Sequence, residues 1–161
     1  MMHHLTPGER RYVTKAASAN CGVGATLVQW KFQVDTLCPR CGQYEDVAHV
    51  YRCQGQSANE VWNANLDKLR QYLSRVDNHP ELEDALITAV SQWRQGLAIE
   101  LRQFSPSVQS ALRQQHDIGW KNLLEGLAGS QWRQLQDQHF ATSHIRASSR
   151  RWLRGTLVHL L

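Results

Sequence analysis

One stretch constrains this chain more than any other. Residues 38–53, CPRCGQYEDVAHVYRC, hold three of the four cysteines and one histidine, at the spacing C-x2-C-x7-H-x3-C. A two-residue gap lets a single turn bring two thiolates to one ion, each at about 2.3 Å. Gly42 follows the second cysteine, where such a turn calls for positive φ. His49 and Cys53 are four apart, so on a helical turn they face the same side. Cys38, Cys41, His49 and Cys53 therefore make a complete tetrahedral donor set that suits Zn2+ and leaves no open position, the mark of a structural site. The competing reading is three ordinary buried cysteines beside an unrelated histidine, and the order of four ligand types weighs against it. Three thiolates and one zinc carry a net charge of −1, which Arg40 and Arg52, each next to a ligand, are placed to offset. Cys21 is left over and reads as a buried free thiol.

The rest of the chain must accommodate that clip. At 161 residues it fits one domain, or a small module attached to a helical body. No run of roughly eighteen apolar residues occurs, so no membrane span is expected. The opening MMHHLTPGER lacks the apolar core of a signal peptide. Cysteines in a chain that is not secreted favour metal or reduced thiols over disulfides, which points to an intracellular protein and is compatible with the nucleus.

Beyond residue 55 the pattern is helical. Val61, Leu66, Leu69 and Leu73 form one stripe, and Leu82, Ala85, Leu86, Ala89, Val90 and Trp93 a second. Pro80 marks a helix start. Ser105 and Pro106 open a further helix with Val108, Ala111 and Leu112 inward. Gly126 and Gly129 interrupt it, and Ser130 caps a segment carrying Trp132, Leu135 and Phe140. A last helix from Ser149 buries Leu153, Leu157, Leu160 and Leu161. At the other end, Thr6, Pro7 and Glu9 form a capping box for a helix to about Asn20, burying Tyr12, Val13, Ala16 and Ala17. Between these, Val28, Trp30, Phe32 and Val34 alternate with polar residues, which predicts a strand, with a short helix ending near Trp30 as the alternative. The expectation is a mainly α fold in three parts: residues 1–36 as an N-terminal helix and lead-in, 37–54 as the CCHC zinc knuckle, and 55–161 as a helical body. The six tryptophans read as core anchors, with Trp152, among arginines, as the candidate for a surface contact.

Charge is uneven. Residues 55–104 carry five basic and seven acidic side chains, a balance of −2, and residues 105–161 carry seven and three, a balance of +4. No acid follows Asp137, whereas Arg146, Arg150, Arg151 and Arg154 do. A basic end of this kind fits a polyanion partner, and equally a solvated helix face.

The spacing departs from the two-cysteine, two-histidine finger, which needs about twelve residues between its pairs. It resembles the zinc-binding segment that follows the polymerase in LINE-type, non-LTR retrotransposon reverse transcriptases. Cys38-Pro39-Arg40-Cys41-Gly42, Glu45-Asp46, His49 and Cys53 match that segment residue by residue. LVQWKF ahead of the first cysteine and HDIGWKNLLEGLAGSQWRQLQ further on are similar to the family's lead-in and helical tail. The resemblance implies Zn2+ as the metal, RNA or DNA as partner, and a polymerase domain on a parent chain.

That polymerase needs an aromatic-x-Asp-Asp turn for two magnesium ions. The acidic doublets here, Glu45-Asp46 and Glu83-Asp84, lack that context. The nearest echo of a nuclease, Asp84 with Glu100-Leu101-Arg102, lies in helical pattern and has arginine in place of lysine. The expectation is a non-catalytic tail module, with Arg40, Arg52, Arg146, Arg150, Arg151 and Arg154 as the nucleic-acid-binding residues through phosphate neutralisation. The alternative is a structural or protein-interaction helical domain stapled by zinc.

Overall fold

The computed structural model describes residues 21–160 together with Pro7, Arg11, Thr14 and Lys15. The helix expected over 6–20 otherwise falls outside the described residues, as does Leu161. The chain divides into two compact units, Met1–Asn63 and Ala64–Leu161. The fold is mainly α, with the cysteine and histidine group in its N-terminal part. The described helices are α1 (Gly24–Gln29), α2 (Val47–Arg52), α3 (Gln56–Leu73), α4 (Leu82–Gln95), α5 (Pro106–Ile118), α6 (Trp120–Leu124), α7 (Ser130–Thr142) and α8 (Ser149–Leu160). Among the described residues, no helix is long and apolar enough to cross a membrane.

The strand expected over residues 28–34 does not form. Its first residues belong to α1, which closes at Trp30, and Lys31 then takes φ +63, a value that no extended strand contains. Glu45 decides the outcome by capturing the helix start. Its Oε2 accepts from Gly24 N–H at 2.8 Å, and its backbone oxygen accepts from Ala25 N–H at 2.9 Å, which satisfies two donors that a helix N-terminus leaves open. Gly24 is required there because a Cβ would lie 2.7 Å from the Thr36 carbonyl oxygen. Without a neighbouring strand the alternation has nothing to pack on, and Phe32 and Val34 are 80% and 98% exposed.

In the second unit, α7 packs on both α5 and α8, α5 also meets α4 and α6, and α6 meets α8. The stripes of α4 and α5 are buried as their spacing requires, except that Trp93 is half-buried. In α3 the stripe is shifted by one position. Leu66, Leu69 and Leu73 are buried, but Val61 is exposed and Trp62 is half-buried. At 100° per residue Trp62 lies within about 40° of those leucines, whereas Val61 lies roughly 80–140° away.

The end of α4 shows why its boundary is sharp. Gly96 adopts φ +76, with Gly96 N–H donating to Trp93 O and Leu97 N–H to Gln92 O, the two bonds of a Schellman cap. Two glutamines organise the core. Gln136, fully buried, donates to Asp77 O at 2.7 Å and accepts from His79 N–H at 3.1 Å, tying the α3–α4 connection to α7. Gln115, also fully buried, holds the turn ahead of α7. Trp152 is core rather than a surface contact, 3% exposed with its indole N–H donating to Asn78 Oδ1. Leu153, expected inward, is half-buried.

Candidate metal centre

The centre is assembled from a tight hairpin and one short helix. Leu37 and Tyr44 form an antiparallel bridge, Cys38 N–H donates to Gln43 O at 2.7 Å, and Gly42 N–H donates to Cys38 O at 2.8 Å. Gly42 sits at φ +71, as the turn between and after two ligands demands. Asp46 then caps α2, its Oδ1 accepting from His49 N–H at 2.7 Å. This bond fixes the turn that carries His49, and Cys53 closes the same helix. The acid preceding the histidine by three residues thus has a structural task, and it is visible in the sequence as Asp at an N-cap.

The ligand atoms of Cys38, Cys41, His49 and Cys53 all lie within 4.8 Å of one another and could hold a metal ion. The Cys38 and Cys53 sulfurs are 3.8 Å apart, and Cys41 Sγ is 3.2 Å from His49 Nε2. Cys38 and Cys53 are buried, while Cys41 and His49 are partly exposed. Burial pushes the Cys38 thiol up to about 11, partly opposed by the backbone of Arg40 and Cys41. The backbone of Gln43 draws Cys41 down, making it the more readily ionised of the two. Gly55 N–H points to Cys53 Sγ at 3.5 Å. Cys21 is not part of the group. It packs with Val23, Val47 and Val50 and forms no disulfide, in line with a buried thiol.

Gly55, ahead of α3, was not singled out by spacing, yet a Cβ there would lie 2.8 Å from the Arg40 carbonyl oxygen and 3.1 Å from the Arg40 Cβ. The contact is with backbone, so it cannot be relieved by a rotamer change. Gly55→Ala is therefore expected to push the Cys38–Cys41 turn away from Cys53 and to weaken metal binding by about tenfold or more. A chelator competition against the parent protein checks this, and an unchanged affinity would show that the turn yields freely.

Arg40 and Arg52 are exposed beside the ligands, and Arg146, Arg150, Arg151 and Arg154 are exposed in the second unit. No family model, curated protein or solved structure matches this chain.

Proposed function

We propose that the four residues form a closed, structural Zn2+ centre, in a non-catalytic nucleic-acid-binding module of the kind that follows the polymerase in non-LTR reverse transcriptases. The convergence of four ligand atoms carries the metal part of this reading. A tetrahedral ion with bonds of about 2.3 Å to sulfur separates its sulfurs by roughly 3.8 Å, the separation found between Cys38 and Cys53. Thiolate and imidazole donors select zinc over calcium or magnesium, which prefer oxygen. With four protein ligands no site remains for a substrate or an activated water, so the metal's role is to hold the fold. Primer extension and DNA cleavage are accordingly expected to be absent from the purified chain.

Nucleic-acid binding draws support from the exposure of all six arginines named above and from the acid-free end of the chain. Guanidinium groups on a solvated face neutralise phosphates and release counterions, so binding should weaken steeply with salt. A second reading, a zinc-stapled protein-interaction domain, is favoured by the exposed Phe32, Val34, Leu37 and Tyr44 around the hairpin.

Elemental analysis together with titrations against single-stranded RNA and duplex DNA separates the two. The expected result is about one zinc per chain and binding whose logarithm falls linearly with log salt. Zinc without nucleic-acid binding would establish the second reading. Absence of bound metal, with all thiols reactive in the native protein, would overturn both.

A further inference from the structure

The arginines of α8 do not stand alone in the second unit. Tyr72 of α3 lies against α8, with its ring 4.7 Å from that of His159 and its hydroxyl donating to Trp152 O at 3.3 Å. Gly155 makes this approach feasible, since a Cβ there would overlap the Tyr72 hydroxyl. The same contact gathers cations from both helices. Burial raises the Tyr72 phenol, and the charges of Arg151 and Arg154 pull it back. Burial lowers His159, and the charge of Lys68 lowers it further. Lys68 stands one helical turn before Tyr72 on α3, Arg151 and Arg154 stand on α8 either side of Trp152, whose carbonyl accepts from Tyr72, and all three cations are exposed. Their counter-charges are few. Asp67, the acid beside Lys68, is engaged with Arg70 at 3.0 Å, and α8 has no acid of its own.

Charge is divided between the units in the same sense. Residues 1–63 hold six basic and five acidic side chains, a balance of +1 that a zinc centre with three thiolates reduces to zero. Residues 64–161 hold twelve and nine, a balance of +3.

We propose that Lys68, Arg151 and Arg154 form one phosphate-binding surface where α3 meets α8 at Tyr72, and that this surface, rather than the metal-bearing unit, supplies most of the affinity for a nucleic-acid backbone. The inference rests on the nucleic-acid reading and adds its location. Lys68 is its new element, since it sits in a segment whose sequence balance is acidic and only the fold brings it to the arginines. Backbone neutralisation of this kind positions a strand without reading bases, so RNA and DNA should both be held.

The test uses the full, metal-loaded chain, titrated at several salt concentrations with a short single-stranded RNA and with a DNA duplex. Lys68→Gln is expected to lower the slope of log affinity against log salt by about one, and Arg151→Gln with Arg154→Gln by about two. Arg40→Gln with Arg52→Gln should change it little, and metal content and helicity should match the parent in every variant. If the parent binds but Lys68→Gln leaves affinity and slope unaltered, the inference fails while the nucleic-acid reading stands. The same follows if the Arg40 and Arg52 pair proves the costlier one to lose. If the parent binds neither polymer, both fail, and binding confined to vesicles of anionic phospholipid would likewise overturn both.

Discussion

Removing the metal is expected to unfold the metal-bearing segment and to leave the helices of the second unit standing. The described core of the first unit is small. One cluster consists of Cys21 and Val23 with Val47 and Val50 against them, the other of Cys38, Cys53 and Ala58 with Cys41. Half of these side chains are the ligand cysteines or Cys21, so little apolar burial remains once the metal is gone. The helices α1 and α2 are six residues each, too short to persist without tertiary support. A structural zinc contributes about 10–16 kcal/mol of binding free energy at neutral pH, which is coupled to folding where no other core exists. A chelator strong enough to strip zinc should therefore abolish the dispersed amide signals of residues 21–55, with a modest loss of far-UV ellipticity. Cys53→Ser should act in the same direction, and Cys21→Ser should leave metal content unchanged. The pH dependence has a definite sign. In the unfolded, metal-free segment the thiols return to their ordinary pKa of about 8.5 and are mostly protonated at neutral pH, so the metal must displace their protons. Affinity should fall by about tenfold for each pH unit lowered, for every thiol that is protonated before binding. Retention of the full spectrum after chelation would show that the segment folds on its own.

The metal donors are legible in the sequence because a metal site is a local arrangement. All four ligands lie within sixteen residues, and the turn, the glycine and the helical spacing each place a donor without help from the rest of the chain. What supports the donors is less legible. Glu45 reaches back to the start of α1, and Gly55 meets the carbonyl of Arg40 fifteen residues earlier. Neither contact has a fixed spacing that a pattern could capture. Asp46 is the exception, since an N-cap acid three residues before a helical histidine follows a local rule. Lys68 lay beyond reach for the opposite reason. Its partners on α8 are more than eighty residues away, and the charge balance of its own segment pointed the other way.

Helical periodicity located α4, α5, α7 and α8 because an apolar face repeating every 3.6 residues has few other uses. The misreading at residues 28–34 shows the limit of alternation. A period of two signals a strand only where a second strand is available to pair with it, and among the described residues the sole β contact is the bridge between Leu37 and Tyr44. Trp152 was misplaced for a related reason. Its arginine neighbours are exposed, yet a helix turns the side chain between Arg151 and Leu153 inward, where Asn78 receives its N–H.

Gln115→Ala is expected to be among the most destabilising single substitutions in the second unit. A glutamine in an amphipathic helix ordinarily reads as surface, but this one is fully buried and makes four hydrogen bonds. Its Nε2 donates to Gly119 O at 3.2 Å and to Leu127 O at 3.3 Å. Its Oε1 accepts from Gly129 N–H at 2.9 Å and from the Trp132 indole N–H at 3.3 Å. One side chain thus ties together the residue ahead of α6, the connection between α6 and α7 and the largest fully buried aromatic. Truncation to alanine removes this partner from the Gly129 N–H and the Trp132 indole N–H, both in buried bonds, and each buried unsatisfied group costs about 1–3 kcal/mol. Allowing for relaxation, the loss should be roughly 3–5 kcal/mol, or about 10 °C in Tm for a chain of this size. Gln71→Ala, at an exposed helical position, should stay within about 0.5 kcal/mol of the parent. Gln115→Glu is the sharper probe, because it keeps the shape and the acceptor but loses both donors. At neutral pH it would place a carboxylate against two carbonyl oxygens and should destabilise strongly. As pH falls the buried carboxyl takes up a proton, regains one donor, and stability relative to the parent should recover. Thermal melts of parent and variants between pH 7 and pH 5 measure both effects. A Gln115→Ala protein within 1 kcal/mol of the parent, or a Gln115→Glu protein whose deficit does not change with pH, would mean that the connection finds its hydrogen-bond partners elsewhere.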